Sequence, residues 1–118
     1  MEFLGDENIF KLHKTAYLCS RKFPASAVVK SFDWAVEQRE NGNCVICGGH
    51  SKIEKDIFNI LLPGTQPLIL VLARGMKKNY SAEIKSAIEN NRLLIVTPFT
   101  DNIKRITEKT SRERNLFM

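Results

Sequence analysis

Two hydrophobic periods take turns along this chain. Short continuous apolar runs are followed by stretches whose apolar residues recur every three or four positions, the pattern of buried strands alternating with amphipathic helices. Asp6 to Leu12 reads as a short helical lead-in, with Leu4, Ile9, Phe10 and Leu12 as its apolar contacts. The first strand is expected over Thr15–Cys19 and ends at Ser20-Arg21. A helix follows, with Pro24 in its first turn and Val28, Phe32, Ala35 and Val36 as its inward stripe, and Asn41-Gly42 ends it. Cys44 to Cys47 is too short for a helix and forms the second strand. The next helix runs from about Ser51 to Leu62, buries Ile53, Ile57, Phe58, Ile60 and Leu61, and stops at Pro63-Gly64. Pro67 to Ala73 is the third strand, followed by Arg74-Gly75 and a basic loop at Lys77-Lys78. Ser81 to Asn90 is a helix with Ile84, Ala87 and Ile88 inward, and Arg92 to Thr97 is the fourth strand, closed by Pro98.

The third strand is apolar at nearly every position, which requires cover on both faces, as in a parallel sheet. Strand and helix alternate with short connections, so right-handed crossovers lead to an α/β fold: a Rossmann-like three-layer α/β/α sandwich with a mostly parallel sheet of about four strands. The whole chain, 1–118, is expected to form one domain, with 101–118 a charged, partly helical tail anchored by Ile103, Ile106, Leu116 and Phe117. In that arrangement Leu93-Leu94-Ile95-Val96 stands at an open edge. Unpaired edge groups invite pairing with another chain, so a homodimer through this edge or through the tail is expected, unless the tail's apolar residues cover the edge within one chain.

Composition narrows the class. A chain of 118 residues supports a single core, and 43% hydrophobic with 26% charged residues is ordinary for a globular domain. No apolar run approaches the roughly 20 residues that span a membrane, so no membrane partner is expected. The acidic start, Met1 to Glu7, lacks the basic and apolar segments of a signal peptide, which predicts a cytoplasmic protein. Three cysteines on expected strands do not make a disulfide framework. Cys44 and Cys47 would point to opposite faces of their strand, so even with His50 nearby they do not make a metal site. The net charge of +5 and pI near 9.3 favour polyanionic partners.

Ligands of open α/β sheets gather outside the carboxyl ends of the strands. Here those ends carry Ser20-Arg21, Gly48-Gly49-His50, Arg74-Gly75 and Thr97-Pro98. The glycine pair lets backbone approach a ligand, Ser51-Lys52-Ile53-Glu54 reads as a capping box, and the free N–H groups of the helix start would face an anion beside His50 and Lys52. The candidate phosphate-binding residues are therefore Ser20, Arg21, Gly48, Gly49, His50, Ser51, Lys52, Arg74 and Gly75. Enzymatic chemistry has less support: the chain has two histidines, His13 precedes the first strand, and no spacing assembles Cys19, Ser20, His50 and Asp56 into a nucleophile and base. Asp33 and Asp56 fall within helices as solvated residues. The G-x-G-x-x-G and G-x-x-x-x-G-K-[ST] signatures are missing, and no cofactor is expected. Trp34 reads as core, whereas Tyr80 lies in the basic loop beyond Arg74.

In order and spacing, Ser20-Arg21, the turn at Val45 to His50, Val71-Leu72-Ala73-Arg74-Gly75-Met76 with Asn79-Tyr80, and Arg114-Asn115 resemble the DNA-processing protein DprA (Smf) family of the Rossmann-like SLOG superfamily. The resemblance covers roughly residues 15 to 118. It implies an extended Rossmann fold, single-stranded DNA or a nucleotide in a basic pocket, self-association, and loading of a RecA-type recombinase during DNA-mediated transformation. By this resemblance Ser20 and Arg21 match the loop that meets phosphate, Gly48 and Gly49 the second-strand turn, Arg74 and Gly75 the third-strand loop, and Arg114-Asn115 a late basic motif. Lys77, Lys78, Tyr80, Arg114 and Asn115 are thus the nucleic-acid candidates. Where the family continues through Arg-Gly-Ile-Asp, this chain has Ser51-Lys52-Ile53-Glu54, with Lys52 in place of the basic group and Glu54 in place of the acid. The family's sheet continues beyond the Arg-Asn motif, so a short or truncated member is expected. The alternatives are a nucleotide sensor or nucleoside-phosphate hydrolase of the same superfamily, whose Pro-Gly-Gly-x-Gly-Thr turn this chain lacks, and a degenerate protein-interaction scaffold.

Overall fold

The computed structural model describes residues 2–12, 14–17, 25–48, 52–77, 79–99 and 114. In chain order these form strand β1 (Glu2–Leu4), a 3-10 turn (Glu7–Lys11), β2 (Thr15–Tyr17), α1 (Ala25–Glu40), β3 (Val45–Cys47), α2 (Lys52–Leu61), β4 (Leu68–Val71), α3 (Ala82–Glu89) and β5 (Leu93–Thr97). The strands make one sheet in the order β1-β5-β4-β3-β2. β2, β3, β4 and β5 are parallel neighbours, with Val45 opposite both Thr15 and Leu68, and Leu68 opposite Leu93. Each crossover therefore steps the same way across the sheet, and right-handed connections place all three helices on one face.

Period-2 alternation divides the core. Val45, Cys47, Leu68, Leu70, Leu93 and Ile95 face Ala35 of α1, Ile57, Phe58 and Leu61 of α2, and Ala87 of α3. Cys44, Ile46, Ile69, Val71, Leu94 and Val96 face the other way, against Ile9 of the 3-10 turn and the half-buried Phe3 and Phe10. Phe3 and Phe10 meet edge to face at 5.8 Å, and Lys14 stands 4.7 Å over the Phe10 ring while donating to the Phe10 carbonyl. Cys44 and Cys47 belong to opposite faces, as the alternation predicts. Trp34 packs half-buried against the helical side of the core.

Two expectations are corrected. The fourth strand of the sequence reading, β5, is not an open edge: β1 pairs antiparallel with it, Glu2 opposite Thr97 and Leu4 opposite Ile95. The described sheet has five strands rather than about four, and the unpaired edge that motivated a dimer through β5 is filled from within the chain. Val36 is also not inward; it is 38% exposed, because the buried line of α1 runs through Ala35 with Phe32 and Trp34 packed beside it.

Candidate anion-binding edge

The parallel register brings the carboxyl ends of β3, β4 and β5 to one edge, where Gly48, Arg74 and Thr97 follow or close their strands. At β5, the buried Thr97 hydroxyl donates to the carbonyl of Arg74 and accepts from the Phe99 amide at 3.1 Å. One side chain thus fixes the β4 exit loop against the end of β5. Within that loop Arg74 is half-buried and its Nε donates to the Gly75 carbonyl at 3.2 Å. Tyr80 closes the loop: its hydroxyl accepts from the Lys77 amide and donates to the Met76 sulfur, both at 3.2 Å. Burial pushes the Tyr80 phenol up, against the opposing pull of the Lys77 amide and the Arg74 charge. The exposed Lys77 lies between Arg74 and Tyr80 in sequence, its amide bonded to the Tyr80 hydroxyl.

At β3 the arrangement differs. Gly48 is buried, and a Cβ built on it would run into Arg114 Nη1 and Glu54 Oε2. Those two side chains form an ion pair, Arg114 Nη2 to Glu54 Oε2 at 3.0 Å, with only 3% and 4% of each side chain exposed. Glycine is required here by what lies under the turn, since no other residue leaves room for the pair. Burial, assisted by the Glu54 charge and opposed by Arg114, pushes the neighbouring Cys47 thiol up to about 12, so it is a neutral core group and not a nucleophile.

The sequence candidates therefore separate. Gly48, Arg74, Gly75, Lys77 and Tyr80 lie along this edge. Lys52 opens α2 but its side chain is 90% exposed and 3.4 Å from Asp56, an i,i+4 pair in solvent. Ser20, Arg21, Gly49, His50, Ser51, Lys78 and Asn115 lie outside the described residues. Arg114 is corrected: as a nucleic-acid contact it would have to reach solvent, and its guanidinium is instead enclosed with Glu54. Sequence reasoning missed Glu54 and Thr97 as organisers of the edge. Glu54 had a signal, because it falls on the buried stripe of α2 with Ile57, Phe58 and Leu61, where a carboxylate needs a partner.

A cavity of about 460 Å³ lies elsewhere, along α3 from Ala82 to Asn90, closing on Leu62, Pro63 and Arg92 at the amino ends of the strands. Its arginine is occupied: Arg92 donates to the carbonyls of Gln66 at 3.1 Å, Leu62 at 2.9 Å and Leu61 at 3.5 Å. The space is a groove beside a helix cap and includes none of the edge residues above.

The fold has solved counterparts. Over 98% of its length the chain superimposes on DNA processing protein A from Helicobacter pylori, whose structure describes a single-stranded DNA binding mode, with a TM-score of 0.68 and 17% identity. The chain has a DprA-like fold. DprA from Streptococcus pneumoniae matches over 96% of the chain with a TM-score of 0.67 and 18% identity. The chain spans about half of the first of these proteins, 53%, and 40% of the second. No family model matches the sequence, and no curated protein does. Among the described residues, no helix is long and apolar enough to cross a membrane.

Proposed function

We propose that this chain binds single-stranded DNA, through its phosphates, at the carboxyl edge of its parallel sheet, as a DprA-like participant in DNA processing. The observation that carries the reading is the loop after β4, where Arg74, the exposed Lys77 and Tyr80 are held together by the Thr97 and Tyr80 hydrogen bonds on a DprA-like fold. A cation beside an aromatic ring is the pairing that single-strand binders use, phosphate to charge and base to ring. Ser20, Arg21, Gly49, His50, Ser51 and Lys78, candidates from the sequence alone, belong to the same proposal, as does Lys52 at the start of α2. Asn115 remains a proposed contact.

The test is fluorescence anisotropy with labelled single-stranded oligonucleotides of several sequences across a salt series, with mononucleotides as the comparison. Steep salt dependence with little sequence preference is expected. Replacing Lys77 and Lys78 together should shallow the log–log slope by about 1.4, at roughly 0.7 per phosphate contact on a single strand. A flat salt response, or tighter binding of mononucleotides, would favour the nucleotide-sensor alternative. Hydrolysis of nucleoside phosphates would need a free acid–base group, and among the described residues the carboxylate beneath the Gly48 turn, Glu54, is engaged by Arg114. A protein-interaction scaffold would bind neither ligand. A cytoplasmic location, a RecA-type recombinase as partner and a homodimer through the tail belong to the same reading. Light scattering at high concentration tests the last of these, and a monomer of 13.5 kDa would exclude it.

A further inference from the structure

We infer that Arg74 is the specificity-determining residue of the proposed edge: its guanidinium is held so that Nη1 and Nη2 form a fork for two oxygens of one phosphate, with Thr97 as the positioning residue behind it. The inference rests on the single-stranded DNA reading and names the contact on which that reading turns.

The four arginines among the described residues divide into two kinds. Arg39 donates to the Ile60 carbonyl and lies 3.5 Å from Glu40, Arg92 donates to three carbonyls, and Arg114 is enclosed with Glu54. All three are engaged within the fold. Arg74 uses Nε alone, which donates to the Gly75 carbonyl at 3.2 Å. Its Nη1 and Nη2 have no partner among the described residues, and neither is an enclosed atom. A guanidinium tethered at one nitrogen has already lost part of the rotamer freedom that a binding event would otherwise remove. With Nε occupied, the two nitrogens left open are the end-on pair, whose N–H directions match two oxygens of one phosphate.

The backbone that carries this fork is fixed from beneath. Thr97 is fully buried at the end of β5, and its hydroxyl donates to the carbonyl of Arg74 itself while accepting from the Phe99 amide. A hydroxyl can do both at once, whereas a valine of the same shape can do neither. Thr97 therefore acts through Arg74 and does not touch the anion. Lys77 differs from both: its side chain is exposed, and its bond to Tyr80 runs through the backbone amide. It supplies charge without direction.

Anisotropy with a labelled single-stranded oligonucleotide separates the two contributions in the full chain. Arg74→Lys keeps the charge and loses the fork, so binding should weaken roughly five- to thirtyfold while the slope of log K against log[salt] stays unchanged. Full affinity in Arg74→Lys would overturn the fork. Thr97→Val should weaken binding roughly three- to tenfold at the same slope, and Thr97→Ser should restore it. Unchanged affinity in Thr97→Val, or a serine variant as weak as the valine one, would overturn the positioning role.

Nuclear magnetic resonance with inorganic phosphate supplies an arm that does not depend on DNA. The Nε–H signal of Arg74, identified by its loss in Arg74→Lys, should shift on addition of phosphate, and those of Arg39 and Arg92 should not. A phosphate shift in a protein that binds no oligonucleotide would overturn the DNA reading and leave the fork as a phosphate site. Oligonucleotide binding that leaves the Arg74 signal unmoved would overturn the fork and leave the DNA reading standing.

Discussion

The two ends of α2 solve similar spatial problems with opposite chemistry. At the amino end, Gly48 roofs an arginine–glutamate pair; at the carboxyl end, Gly64 roofs Gln66 Oε1 and the Arg39 side chain. The amino-end arginine meets a carboxylate and is enclosed. At the carboxyl end, Arg39 donates to the Ile60 carbonyl at 3.0 Å, Arg92 to Leu61 and Leu62, and the Gln66 amide to Leu61 at 2.7 Å. These are the carbonyls a helix leaves without internal partners, and cations beside them also oppose the negative end of the dipole. The difference teaches how little net charge says about nucleic acid here. Of 18 lysines and arginines, Arg39, Arg92 and Arg114 are assigned to the ends of one helix, so the basic surface available to a polyanion is smaller than the pI implies.

The comparison breaks most visibly at Gly48. A methyl group there displaces part of a buried ion pair, and Gly48→Ala should lower stability by about 3–5 kcal/mol, the cost of separating such partners. Urea unfolding measures it. A double-mutant cycle sharpens the assignment: in a Glu54→Gln/Arg114→Gln background the same alanine should cost much less, and an equal cost in both backgrounds would place the strain in the backbone instead.

The carboxyl end should respond less. Arg92→Ala removes three charge-assisted hydrogen bonds, yet Arg92 is half-exposed and water reaches part of the space it leaves. A loss of about 2–3 kcal/mol is expected, with exchange at the α2 end faster than at its start. Gly64→Ala should be milder again, at about 1–2 kcal/mol, because its nearest obstacles are side-chain atoms of Gln66 and Arg39 that can shift. A cost for Gly64→Ala equal to that for Gly48→Ala would mean that the two roofs are equally rigid, and the contrast would fail.

Legibility in the sequence followed the strength of local pattern. The parallel strands and three helices are readable because each carries its own period and its own boundary signal, such as Asn41-Gly42 after α1 or Ser81, which caps the start of α3 by accepting from the Ile84 amide. β1 is not, since Glu2-Phe3-Leu4 is three residues long and gains strand character only by pairing with β5. That miss turned β5 into an apparent open edge. At the edge, the positions of Gly48 and Arg74 after β3 and β4 are legible from the ends of the apolar runs. The sequence reads Gly48 as space for a ligand above, whereas Arg114 packs against it below, and a contact across about half of the chain leaves no local trace.

The smallest expected effect concerns Cys47, the residue before Gly48. Burial holds its thiol at about 12 in the folded protein, against 9.0 for an ordinary thiol. A folded-state value above the unfolded one gives stability that is complete below the unfolded value and is lost as pH rises through the interval to 12, because only the unfolded chain can release the proton. At pH 9.5 this one group should cost roughly 0.8 kcal/mol relative to pH 7. Cys44 and Tyr80 are raised as well and contribute in the same direction, so Cys47 must be isolated by difference. Cys47→Ala creates a cavity and lowers stability at every pH, but it should flatten the decline between pH 8 and 10 relative to the unaltered chain. The charges of Glu54 and Arg114 act on the Cys47 thiol in opposite directions, which ties this residue to the amino end of α2. An unchanged alkaline slope in Cys47→Ala would show that the thiol is accessible to solvent, and the packing beneath the Gly48 turn would then be looser than a 3% exposed Arg114 requires.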